Sequence, residues 1–349
     1  MDNPFSRRAR RAYPRLRASL PLLLLMLLLT RWTAYGGEPD AARTALLHAL
    51  WTEAELAGGP EDRHGGPRSA PDDSPPARTE VRVAAESLPE NLRGAIRSVR
   101  LARETPLAAL TFDLCELATK ISGYDADVVN CLRSRGVRAT FFAGGKWMRS
   151  HPEKALQLMA DPLFELGNHA WTHGNLGVLR GQAVKDQLQW TQAQYELLRE
   201  ELAQRAAAVG LSQAMDSIPP RLRLFRFPYG RCCAESLDCA ASLGLASIQW
   251  DVQAEDDALS PRIAARNAAA RVQPGSILLL HANGVPKNTA AMLPILLDEL
   301  QARGFGFVTV GELLSLGEPV RVEDCYNRTP GDTHVYDALY GDGTRGRRH

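Results

Sequence analysis

From residue 107 onward the chain alternates two textures, and that alternation limits the fold more than any other feature. Apolar runs of strand length recur at Leu107–Phe112, Val137–Gly144, Leu163–Asn168, Leu222–Phe227, Ala246–Val252, Ser276–His281 and Gly306–Val310. Between them lie stretches with helical spacing of apolar residues: Asp125–Arg135, Pro152–Ala160, Gln182–Val209, Ala234–Leu243, Pro261–Val272 and Thr289–Arg303. A strand that is apolar throughout needs cover on both faces, and a helix crossing to the next parallel strand supplies it. About seven such units predict an α/β fold, a distorted (β/α) barrel with about seven parallel strands. The sequence carries no internal repeat and no glycine-rich phosphate loop.

Parallel barrels carry their chemistry where the strands end. Asp113 follows the first run, in TFD. His169 and His173 follow the third, in GNHAWTHGNL, and Arg226 stands in FRFPYG. Asp256 follows the fifth run, and His281 closes the sixth in GSILLLH. A carboxylate at a strand end can move a proton or hold a metal, though the same residue alone serves equally well as a helix cap. Two His at i and i+4 share one face of a helical turn and can grip Zn²⁺. That spacing alone is weak evidence, but Asn168 and Thr172 make the loop polar, unlike the surroundings of core histidines. Arg226 can orient a carboxylate. The turn at Pro228–Gly230 can aim backbone N–H groups at an oxyanion. His281 titrates near neutrality and suits a general acid.

The start of the chain is of another kind. RRARRAYPRLR precedes a nearly pure leucine run, Leu20–Leu29, so residues 1–35 read as a signal peptide or N-terminal anchor. The run is shorter than the roughly 20 apolar residues a membrane span needs. The expectation is an exported protein, periplasmic or secreted, touching a membrane only through that segment if it stays uncleaved. Residues 36–104 form a flexible region, because 57–80 are Gly, Pro and charge and bury little. Residues 105–317 hold the main domain, and 318–349 a weakly ordered tail with a possible tie at Cys325. Six cysteines suit an oxidising compartment; they allow fifteen pairings, and adjacent Cys232 and Cys233 point to different partners. A net charge of +1 argues against nucleic acid as a partner.

Taken in order, TFD, H-x-x-x-H, R-x-P-Y-G, the WDVQAEDD segment and L-x-H resemble the polysaccharide deacetylases, carbohydrate esterase family four. Gly136–Gly144 resembles that family's second strand, and the resemblance spans residues 105–315. It implies removal of acetyl groups from an N-acetylated polysaccharide with one divalent metal, zinc first, cobalt or nickel also suited. By resemblance Asp113 is the base, Arg226 holds it, and His169 and His173 bind the metal. Tyr229 offers its backbone N–H to the oxyanion, Asp256 tunes the acid, and His281 protonates the leaving amine. Leu279 walls the pocket for the acetyl methyl.

The sequence departs from that pattern at one telling place. Leu114 stands where the family carries a metal-binding Asp, and Leu cannot ligate. Glu116 is the expected substitute. A Cys115 thiolate is an alternative, although Cys115 is expected in a disulfide; Asp113 itself is another. Gln253 and Asp257 replace an Asp and a Trp, so Trp171 or Trp250 is expected to supply the aromatic wall. Two rival readings remain: a related hydrolase of a small non-sugar amide, and a sugar-binding relic without activity.

Overall fold

The computed structural model describes residues 40–102, 105–254, 259–285 and 287–346. The leucine run, Asp256 and Asp257 lie outside those residues. The strands are β1 (Ala95–Arg100), β2 (Leu107–Leu114), β3 (Ala139–Ala143), β4 (Phe164–Asn168), β5 (Leu224–Phe225), β6 (Ala246–Ile248), β7 (Val252–Gln253), β8 (Ile277–His281), β9 (Gly306–Phe307) and β10 (Glu318–Val322). The helices are α1 (Ala41–Leu50), α2 (Glu53–Ala57), α3 (Ala126–Ser134), α4 (Gly145–Ser150), α5 (Pro152–Ala160), α6 (Gln182–Ala208), α7 (Ala234–Ser242), α8 (Pro261–Arg271), α9 (Thr289–Ala302), α10 (Val310–Ser315) and α11 (Val335–Tyr340).

One curled sheet runs β10-β1-β6-β5-β4-β3-β2-β8-β7, with β9 paired to β2. Every pairing in this sheet is parallel except β10 on β1, and a separate short antiparallel pair joins Gly66–Pro67 to Lys120–Ile121. The curl brings β1 back to the start of β8, where Val99 N–H donates to Gly275 O at 2.9 Å. The result is the partly closed, distorted barrel that the alternating texture predicts. The expected Ala246–Val252 strand breaks into β6 and β7, because the chain leaves the sheet at Gln249–Asp251 to change neighbours from β5 to β8.

Side chains alternate across a strand, so each strand sorts its residues between two cores. Leu107 and Ala109 of β2, Phe142, Leu224, Ala246, Ile248, Ile277 and Leu279 fill the inside. Ala108, Leu110, Phe112 and Leu114, with Phe141, Leu278 and Leu280, face the helices and pack on Val128, Leu156 and Leu293. Gly167 leaves room for the inner ring, since a Cβ there would meet Phe142 Cδ1 at 2.6 Å. Following the inner register upward leads from Leu107 and Ala109 to Thr111 and Asp113, from Leu224 to Arg226, and from Ile277 and Leu279 to His281. The functional side chains crown an apolar column.

Both ends of the described chain correct expectations. The stretch 57–80 is laid along the domain as a strap. Arg63 pairs with Asp125 at 2.8 Å, Arg68 with Glu116 at 2.6 Å, and Arg78 with Glu200 at 2.8 Å. Asp72 reaches the buried Lys146 and, at 2.7 Å, Arg149. Composition missed this because ion pairs and backbone hydrogen bonds, not apolar burial, hold the strap. The tail is ordered too: β10 extends the sheet, Cys325 is bonded to Cys232, and α11 follows. Among the described residues no helix is long and apolar enough to cross a membrane.

Candidate active site

Asp113 and His281 sit opposite each other in the register of β2 and β8. Both side chains therefore rise side by side from the inner face. Asp113 is buried, and its Oδ1 accepts from Arg226 Nη1 at 2.9 Å. Arg226 is wholly buried and every arm is occupied. Nη1 also donates to Thr111 Oγ1 at 2.7 Å, Nη2 to Gln249 O at 3.1 Å and Nε to Ile248 O at 3.3 Å. Its guanidinium lies 4.1 Å from the centre of the Phe142 ring. Burial pushes the Arg226 pKa down while the Asp113 carboxylate pulls it back up, so the two charges compensate each other. With Oδ1 engaged, Oδ2 is the oxygen left for chemistry.

His169 follows directly from β4. Its Nδ1 lies 3.0 Å from the Arg226 carbonyl, which can only accept, so Nδ1 carries the proton. The lone pair is then on Nε2, which is buried without a hydrogen-bond partner and 3.6 Å from Asp113 Oδ2. Two electron-pair donors facing each other in a buried site call for a cation between or beside them. Burial lowers the His169 pKa, with the Asp113 carboxylate opposing, so a proton is poorly suited to that place. A metal ion fits the donor set.

His173 meets His169 by an unexpected route. The histidines were expected on a helical turn, but residues 169–175 form a loop. Ala170 and His173 take positive φ, 63° and 57°, which bends the chain back on itself. The ring centres come to 5.0 Å. Tyr229 also has a positive φ, 60°. Left-handed backbone at a non-glycine residue is uncommon and costs about 1 kcal/mol or more. Three such residues gathered at one site are held there by the packing around them.

Cys115, His169 and His173 each place one ligand atom within 4.8 Å of the others. Cys115 is free, contrary to the disulfide expected of it. Glu116 is not part of that group. Its Oε1 accepts from Arg68 Nη2 at 2.6 Å and Ser150 Oγ at 2.7 Å, and its Oε2 from Ser122 N at 3.2 Å. It anchors the strap, with both oxygens engaged away from the two histidines with which it was expected to act.

The aromatic candidates part ways. Trp171 is 1% exposed, under the strap, with Nε1 donating to Ser74 O at 3.1 Å. A Cβ on Gly145 would come within 2.2 Å of its ring, so Trp171 is locked in place and forms no open wall here. Trp250 joins Leu279 in the inner core, and its indole N–H is buried without a partner. Tyr229 faces His173 at 4.4 Å between ring centres, stacks on Tyr340 at 4.8 Å, and donates its hydroxyl to Gly343 O at 2.7 Å. Sequence reasoning missed the tail's part in this: Tyr340 and Gly343 rim the site, and no motif marks them. Only the aromatic pair Tyr336 and Tyr340, spaced i and i+4 on one helical face, hinted at it.

Comparison with known proteins agrees with this geometry. Residues 101–248 match the family model for polysaccharide deacetylase. A chitooligosaccharide deacetylase of Azorhizobium caulinodans is 30% identical over 195 residues, 51% of this chain and 82% of that protein. A peptidoglycan-N-acetylglucosamine deacetylase of Listeria monocytogenes is 27% identical over 257 residues, 72% of this chain and 48% of its own length. The present chain thus spans about half of that larger protein. A crystal structure of a peptidoglycan N-acetylglucosamine deacetylase superposes with a TM-score of 0.53 at 20% identity, covering 65% of this chain and 95% of that one, a likeness of fold. The chain belongs to the polysaccharide deacetylase family.

Proposed function

We propose that this protein is an exported, metal-dependent hydrolase that removes N-acetyl groups from an envelope or extracellular polysaccharide of the peptidoglycan or chitin-oligomer kind. One observation carries the reading. Asp113 is fixed by Arg226 through Oδ1, leaving Oδ2 open beside His169, while His281 stands opposite in the strand register. Acetyl-amide hydrolysis needs a base for water, a donor for the departing nitrogen and stabilisation of a tetrahedral oxyanion. Asp113 Oδ2 takes the proton from water, and Arg226 holds the carboxylate in orientation throughout. His281, partly exposed, hands a proton to the leaving amine. Tyr229, set by its left-handed backbone, presents N–H toward the oxyanion, and Leu279 lies in the apolar floor that meets the methyl group.

His169 and His173 would hold the metal, zinc or, with similar ligand preference, cobalt or nickel. When bound, the ion supplies Lewis acidity and makes water easier to deprotonate. Sugar polymers suit an exported chain better than a small cytosolic amide, which supports the envelope as the place of action.

The test is acetate release from N-acetylglucosamine oligomers by the full chain, with metal measured in the same sample. Release that disappears in Asp113→Asn and in His169→Ala, together with metal loss in the second, supports the reading. A folded, metal-loaded protein that releases no acetate from glucosamine polymers or peptidoglycan sinks it and brings the sugar-binding reading forward.

A further inference from the structure

We propose that the Cys115 thiolate is the third protein ligand of the metal, so that the centre is two imidazoles and one sulfur rather than an oxygen-rich site. The inference rests on the metal reading above and specifies its chemistry. Leu114 is fully buried in the outer core against the helices, so position 114 points away from the site. The alternation that sends Leu114 outward returns residue 115 to the inner side, the side of Asp113. Cys115 Sγ there comes within 4.8 Å of ligand atoms of both histidines.

Three further observations agree. Cys115 is in no disulfide, while Cys232 and Cys325 have paired with each other. Asn283 Nδ2 donates to Cys115 Sγ at 3.0 Å and to Cys115 O at 3.1 Å, which fixes the sulfur's direction. Glu116 is held by Arg68, Ser150 and Ser122, so it does not compete. With sulfur as ligand, Asp113 keeps an oxygen for proton transfer. A thiolate also shifts preference toward Zn²⁺ and Co²⁺ and away from Mg²⁺ and Mn²⁺.

The experiment uses the full chain stripped by chelator and titrated with Co²⁺. The expected result is a near-ultraviolet thiolate-to-cobalt charge-transfer band, retained in Glu116→Gln and absent in Cys115→Ser. Affinity in Cys115→Ser should fall by at least the roughly 10–100-fold that losing a supporting residue costs. Cobalt binding without that band, unchanged in Cys115→Ser, overturns the inference and leaves the deacetylase reading intact. The band without any acetate release upholds the ligand and counts against the activity. A measurement on the unaltered chain guards against a misfolded variant: Zn²⁺ should shield Cys115 from alkylation by at least tenfold, with Cys131, Cys233 and Cys239 as internal controls. Equal labelling of Cys115 with and without zinc overturns the proposal.

Discussion

The strap before the barrel and the segment after it were both expected to be loosely ordered, and both lie against the site by different means. The strap is fastened by charge, Arg68 to Glu116, Asp72 to Lys146 and Arg149, Arg78 to Glu200. The tail adds to an ion pair, Asp337 with Arg231 at 2.9 Å, a covalent bond, a sheet edge and rings: Cys325 to Cys232, β10 on β1, Tyr340 on Tyr229. Ion pairs weaken with salt and acid, whereas a disulfide and aromatic stacking do not. The strap should therefore loosen under conditions that leave the tail in place.

The largest expected effect is on the tail. Replacing Cys232 and Cys325 by Ser opens a loop of 93 residues and should lower unfolding stability by about 4–5 kcal/mol in the chain-entropy model. Urea unfolding checks the loss, and salt should not alter it. Next comes Asp72→Ala, which leaves Lys146 buried without its carboxylate. The expected loss is about 2–3 kcal/mol, below the roughly 3–5 for a fully buried pair, since Asp72 keeps 32% of its side chain in solvent. Limited proteolysis between residues 64 and 80 should speed up in the same variant, with cleavage after 318 unchanged.

The same pair sets a pH dependence. Burial raises the Asp72 pKa, but hydrogen bonds from Lys146 and Ser74 outweigh it and hold the carboxyl well below its ordinary value of 3.8. A carboxylate depressed in the folded state adds stability that is complete above 3.8 and is lost as pH falls below it. Hydrogen exchange at pH 3 should therefore show the strap opening before the tail. Tyr340→Ala should cost a smaller amount, about 1–2 kcal/mol, by removing the stacked ring from Tyr229. Smallest is Arg345→Ala, whose exposed pair with Asp73 at 3.0 Å joins strap to tail and should be worth under about 0.5 kcal/mol by thermal unfolding.

The barrel was legible because its signals are local. Apolar runs and helical spacing repeat within a few residues, and most elements of the barrel fall within the expected segments: Pro152–Ala160 matches end to end and Gln182–Val209 shortens by one residue, while Leu107–Phe112 runs on to Leu114 and neither the strand Ala95–Arg100 nor the helix Gly145–Ser150 was expected. Asp113, Arg226, His169 and His281 were legible because each stands where a strand ends. The ends of the chain were not, because their partners are remote: Asp73 and Arg345 are separated by 272 positions, Arg68 and Glu116 by 48. No short window of sequence pairs them. That Glu116 is tied to Arg68, Ser150 and Ser122 while Cys115 lies beside the two histidines was not legible for a subtler reason. Reach was judged from side-chain length, whereas the alternation along β2 decided which residue turns inward.

The strap and the tail close on the same few residues. Arg68 N and Asp72 N donate to the carbonyls of Thr119 and Ala118 at 2.8 and 2.9 Å, and Ala118 N donates to Thr344 O at 2.8 Å. That loop begins at Cys115. A mechanical pull on the C-terminal end of the described chain is thus delivered through Thr344 to the loop that starts at Cys115, whereas a pull on residue 40 meets the barrel first, where Arg43 Nη2 donates to the carbonyls of Met159 and Asp161 at 2.9 and 2.6 Å. Tension applied with an optical trap is a variable that this loop feels from the tail and is shielded from on the other side by α1.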